Sequence, residues 1–172
     1  MEFNDLINSR ESVRSYDPER IVPQDILHRI LEAGRLAPSA CNIQPYRFLL
    51  VSTPVVLERV KTCYKRPWFQ DAPHIIVIVG HREKAWKRSY DGYNSIETDM
   101  AIAMTHIVLA AANEGVATCW IEAYDPELLR SALSLKPEEV VFGITPLGFA
   151  RNPVSGAKSK QRKPFNEIVE FL

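Results

Sequence analysis

Two short runs of cationic and hydroxyl side chains are the residues best suited to chemistry. Near the start, Arg10, Ser12 and Arg14 alternate within Arg10-Glu-Ser-Val-Arg-Ser-Tyr16; near the end, Lys160 and Arg162 share that spacing, with Lys163 beside them. In extended chain alternate residues face the same way, so each run can aim its charges at one target. A guanidinium grips phosphate by two parallel hydrogen bonds, and serine adds a short neutral donor. Each run taken singly reads as a solvated face, the commoner case; the shared spacing favours an anion site. Asn42 and Gln44 lie in the proline-bounded connector Ala37-Pro-Ser-Ala-Cys-Asn-Ile-Gln-Pro-Tyr46. Their amides can pair with a flat heterocycle or with the loop's own backbone, the commoner use, and spacing alone does not choose.

Other chemistries lack their residues. G-x-G-x-x-G and G-x-x-x-x-G-K-S/T loops are absent and the chain has only 7 glycines, so any phosphate must be held by side chains. There is no G-x-S-x-G elbow and no evident carboxylate pair. Cys41, Cys63 and Cys119 form no C-x-x-C, and His28, His74, His81 and His106 form no zinc pattern, so neither a disulfide framework nor a metal site is expected. Lys+Arg and Asp+Glu balance at 21 each, which argues against nucleic acid or a membrane surface as partner. The balance hides a basic tail, with Arg151, Lys158, Lys160, Arg162 and Lys163 and no acid between them. The opening residues are acidic and lack an apolar signal run, so a cytoplasmic protein is expected.

The elements that must position these residues follow from periodicity. The 172 residues, 46% hydrophobic and 24% charged, suit one soluble domain spanning the whole chain. Ser95 to Gly115 predicts a long helix, with Ser95 as N-cap, Glu97 and Asp99 in its first turn, and Gly115 closing it. This helix is apolar on more than one side, from Met100 through Ala112, so it must be covered on several faces, by the sheet, by other helices and by a second copy of the chain. Shorter helices are expected up to Ser9, from Pro23 to Leu36, from Val55 to Tyr64 and after Asp125-Pro126. Strands are expected at Tyr46–Ser52, His74–Val79, Val116–Ile121, Glu139–Leu147 and, as an edge, Phe165–Phe171. Residues 81–93, with Trp86, Tyr90 and Tyr93 among basic side chains, read as a surface loop or short helix. The class is α+β or α/β.

Four segments resemble one family. Arg10-Glu-Ser-Val-Arg-Ser-Tyr16 is similar to the R-x-S-x-R opening of the nitroreductase family of FMN-dependent oxidoreductases. Ala37 to Phe48 resembles that family's A-P-S-x-x-N-x-Q-P-W/Y-x-F segment. Ala117-Thr-Cys-Trp-Ile121 resembles its G-T-C-W-I strand. Pro146-Leu-Gly-Phe149 and Lys160-Gln-Arg-Lys-Pro164 resemble its P-L/V-G-Y/F … K-x-R-K/R-P ending. Each is weak alone; four in register over nearly the whole chain are specific.

The resemblance implies a nitroreductase-like α+β fold, with a central mixed, mostly antiparallel β-sheet flanked by helices and a C-terminal extension exchanging onto the partner subunit. It implies a homodimer with two FMN sites. It places Arg10, Ser12, Arg14, Lys160 and Arg162 around the phosphate and flavin edge. It places Pro38, Ser39, Ala40, Asn42 and Gln44 of the other subunit against the ring and ribityl chain. Glu122 is carried over from the family's Glu-Gly; here Ala123 replaces the glycine, and its methyl crowds any close backbone approach to the flavin. The implied reaction is hydride transfer from NAD(P)H to flavin N5, then electron transfer to a small acceptor such as a nitroaromatic or quinone in ping-pong order. No side chain is then needed as a dedicated acid or base. Trp86, Tyr90 and Tyr93 form either an aromatic lid over the acceptor or a loop pinned by its own rings. The rival readings are a non-catalytic flavin- or anion-binding dimer and a flavin-fragmenting or dehalogenating relative.

Overall fold

β2 (His74–His81) is the spine of the fold. Its unbroken β-branched run is buried along nearly its whole length because it packs on both faces. Ile76 and Ile78 face one core; Ile75, Val77 and Val79 face the other. β1 (Tyr46–Val51) and β4 (Glu139–Gly148) flank it antiparallel, and the short β3 (Ala117–Thr118) completes the order β1-β2-β4-β3. Every named pairing is antiparallel. The parallel element of the expected mixed sheet is a single bridge, Ser12 to Thr118. The computed structural model describes residues 1–152 and 160–172; Lys158 of the basic tail lies outside them.

Helices cover both faces. On one side lie α2 (Gln24–Arg35) and α5 (Ile96–Asn113), whose Leu27, Ile30, Met100, Met104 and Ile107 close the first core. On the other lie α3 (Pro54–Lys61), α4 (Pro67–Gln70) and α6 (Pro126–Leu133), with Leu57, Val60, Phe69 and Leu129 in the second. α1 (Phe3–Ser9) buries no residue. α6 opens at Asp125-Pro126 as expected, and Asp125 caps it, its Oδ1 accepting from the Glu127 and Leu128 amides at 3.0 Å each.

Three local expectations are corrected. Ser95 holds the N-cap position of α5 but its side chain does not cap the helix: Asn94 Oδ1 accepts from the Ile96 amide at 3.1 Å, while Ser95 Oγ donates to Asp99 at 2.8 Å. The third strand stops at Thr118, and beyond it only Ile121 bridges back, to Ile144. Phe165–Phe171 is no edge strand; it opens with a 3₁₀ turn, Phe165–Glu167, and has no strand partner among the described residues. Gly115 does end the α5 region in a left-handed conformation, φ 71°.

Candidate functional site

The opposite ends of the described chain meet at one cavity. The segment after α1 runs beside β3, with the Val13 amide donating to the Thr118 carbonyl at 2.9 Å. This pairing turns Arg10 and Ser12 toward a cavity of about 790 Å³, and Lys160 and Arg162 reach it from the C-terminal side. Its volume is that of a small-molecule or cofactor site, roughly 300–1,000 Å³. Thr105, Val108 and Leu109 of α5 form an apolar wall with one hydroxyl, and Thr118 and Trp120 form the sheet side. The outer side of α5, from exposed Thr105 to core-edge Val108, therefore lines this cavity.

The cations are poorly neutralised. Among the described residues, no carboxylate forms an ion pair with Arg10, Lys160 or Arg162. Lys160 Nζ donates to the Ile7 carbonyl and Arg162 Nη1 to Gln161's. Burial, then the nearby Arg10 and Arg162 charges, hold the Lys160 ammonium below the usual lysine range, with Glu11 offsetting them. An arrangement of like charges around a cleft is relieved by a bound anion. Among the described residues no group of three or more His, Cys, Asp or Glu could hold a metal.

The remaining sequence-derived residues lie outside that cavity. Arg14 sits further along the segment, where its charge acts on Cys119 and Tyr16. Burial pushes the Cys119 thiol up, against Arg14 and a hydrogen bond from Ser12. Glu122 and Ala123 are exposed beyond β3. Pro38, Ser39, Ala40, Asn42 and Gln44 form a loop at the far end of α5. Buried Asp99, 2% exposed, accepts from the Ala40 amide at 2.9 Å. Ser39 Oγ accepts from the Gln44 amide, and Gln44 Nε2 donates to Asn42 Oδ1 at 2.9 Å. Cys41, Asn42 and Gln44 all have positive φ, an unusual cluster for side chains other than glycine.

Residues 82–95 form a braced hairpin-like loop near the same end. Arg88 clamps Asp91 with two bonds of 2.8 and 2.7 Å and lies over the Tyr93 ring. Tyr93 bonds Thr98, the Trp86 carbonyl accepts from Ser95, and Tyr90 stands 95% exposed. Within one chain neither this loop nor residues 38–44 line the cavity. Sequence reasoning missed Thr105, Val108, Leu109 and Trp120 as lining residues. The excess apolar surface of α5 was their signal, but in sequence it looks the same as core.

The chain matches the model of the Nitroreductase family at residues 7–63 and 55–149. It is 30% identical over 151 residues to an Archaeoglobus fulgidus protein whose name assigns it provisionally as an NADH dehydrogenase/NAD(P)H nitroreductase, covering 86% of this chain and 84% of that one. A nitroreductase family protein from Clostridium difficile 630 superposes with a TM-score of 0.91 at 27% identity, over 99% of this chain and 98% of that one. An FMN-dependent nitroreductase from Clostridium difficile R20291 shares the fold at a TM-score of 0.80 and 23% identity, over 98% of each chain.

Proposed function

The chain belongs to the nitroreductase family of oxidoreductases, and from that premise we propose that it is an FMN-dependent NAD(P)H oxidoreductase. The observation that carries this is the cleft where Arg10 and Ser12 meet Lys160 and Arg162, with no carboxylate ion-paired to these cations among the described residues and only Glu11 near enough to offset them in part. A dianionic phosphate fits that deficit, and the apolar wall of Val108, Leu109 and Trp120 suits a flat ring. When bound, the flavin supplies two-electron chemistry, accepting hydride from a reduced nicotinamide and passing electrons to a small acceptor such as a nitroaromatic or quinone in ping-pong order.

The protein's own share is binding and orientation. Arg162 and Arg10 clasp the phosphate, Ser12 adds a neutral donor, and Lys160 contributes positive charge deeper in the cleft. Arg14 and Glu122 belong to the rim of this site in the assembled protein. The active unit is a homodimer. Three features support it: α1 buries no residue, Phe165 and Phe171 stand 68% and 87% exposed, and the outer edge of β1 has no strand partner among the described residues. A C-terminal extension that exchanges between subunits covers such surfaces. The loop of Pro38, Ser39, Ala40, Asn42 and Gln44, held open by Asp99, then serves the partner's flavin, and Trp86, Tyr90 and Tyr93 frame the acceptor.

The absorbance spectrum of the purified protein tests the cofactor, and anaerobic titration with NADH and NADPH tests the chemistry. A yellow protein bleached by one nicotinamide is expected. A colourless protein that takes up no added FMN removes the cofactor, and a flavin that stays oxidised leaves only a non-catalytic carrier.

A further inference from the structure

The sheet register contains one irregularity, and it lies behind the cavity. Val77 pairs with Ile144 and Val79 with Val141, so between them β4 carries two residues, Phe142 and Gly143, opposite the single residue Ile78. Such a bulge re-aims the side chains around it and recurs beside functional sites. Both bulge residues meet Trp120. Phe142 stands edge-on to the indole, with centroids 5.9 Å apart and planes at 74°. Gly143 faces the pyrrole edge so closely that a Cβ there would lie 2.6 Å from Nε1 and 3.2 Å from Cδ1. Gly143 has no positive φ, so its missing side chain reflects space, not backbone strain. Trp120 Nε1 is buried with no hydrogen-bond partner, a costly placement for a strong donor. The indole is thus held against the bulge in spite of its own polar atom, while the same side chain lines the cavity.

We propose that the Phe142–Gly143 bulge is a positioning device that seats Trp120 as the fixed wall of the cavity, with Gly143 setting how much depth is left for a flat ring. The inference rests on the flavin reading of the cavity. A methyl at Gly143 displaces the indole away from the sheet and into space the ring would use; with a smaller phenyl ring at Trp120, the same methyl is harmless.

A double-mutant cycle tests it. FMN is titrated into ligand-free wild type, Gly143→Ala, Trp120→Phe and the double variant, and near-ultraviolet circular dichroism is recorded on each before titration. Gly143→Ala should weaken FMN binding at least about tenfold and alter the tryptophan bands of the ligand-free protein. Trp120→Phe and the double variant should bind FMN alike and have matching spectra. Equal FMN binding by wild type and Gly143→Ala, or additive effects across the cycle, would overturn the proposal. If Gly143→Ala does not fold, the other pair decides: unequal affinity between Trp120→Phe and the double variant sinks the idea. If wild type takes up no FMN, the flavin reading fails; the spectra still judge the wall, and unchanged tryptophan bands in Gly143→Ala reject it.

Discussion

Lys160 is the residue through which the cleft's charge deficit can be titrated. Its ammonium is held below the ordinary lysine value by burial and by Arg10 and Arg162, so in the ligand-free protein it loses its proton earlier as pH rises. A phosphate dianion needs that proton in place, so FMN affinity is expected to fall on the alkaline side sooner than free lysine would dictate. On the acid side, affinity falls below about pH 6, where a phosphate monoester loses its second charge. Fluorescence titration across the range should show this maximum, and Lys160→Met should flatten its alkaline limb. Arg162→Ala removes a charged donor, a loss of about 1.5–3 kcal/mol, and should weaken FMN retention roughly 10- to 100-fold. Retention through dialysis equal to the parent's counts against the assignment. Arg10, Ser12, Lys160 and Arg162 were legible in the sequence because alternation fixes a shared direction. Arg14 has the same parity but not the same place. Four extended residues span about 13 Å, which carries it past the cavity to Cys119.

At the scale of elements, the first turn of α5 organises the loop that the sequence marked with Asn42 and Gln44. Asp99 accepts from both the Ala40 amide and the Ser95 hydroxyl. Asp99→Ala leaves two donors without their acceptor at a buried position, so a stability loss of about 2–4 kcal/mol is expected, measurable as a lower urea midpoint; a change within about 0.5 kcal/mol would show the brace is unimportant. The loop's positive-φ residues depend on the same brace, so that variant should also lose FMN affinity. The aromatic loop is a separate element, fixed by Arg88–Asp91 and the Tyr93–Thr98 contact. Trp86→Ala should therefore alter the relative rates with quinone and nitroaromatic acceptors more than it alters FMN binding; equal loss of both means a structural role. Periodicity showed β1, β2, β4 and α5, but overran β3 and marked a strand at Phe165–Phe171 that does not form. It did not show that Ser95 would bond Asp99 rather than the helix end, because that choice depends on Ala40, far away in sequence.

For the whole molecule, the β1 edge, without a strand partner among the described residues, the α1 helix that buries no residue and the exposed Phe165 and Phe171 are the features on which the proposed second copy rests. Sedimentation equilibrium should give twice the chain mass of 19.6 kDa, and a chain ended after Lys163 should dissociate more readily and hold FMN less well. A full-length protein that sediments as a monomer yet keeps its flavin would remove the shared-site reading. Among the described residues, no helix is long and apolar enough to cross a membrane.

The sequence by itself determined what is local or periodic: the both-sides-buried β2, the apolar α5, the helix start at Asp125-Pro126, and the two cationic runs with their spacing. These depend on residues a few positions apart, whose geometry the backbone sets. Only the tertiary structure decided which surfaces meet. It brought residue 10 to residue 162, set Thr105 and Leu109 on a cavity at the margin of the core that Val108 belongs to, and placed a bulge at Gly143 behind Trp120. Those contacts join segments separated by tens of residues or more. Packing and sheet register select them, and no local pattern encodes either.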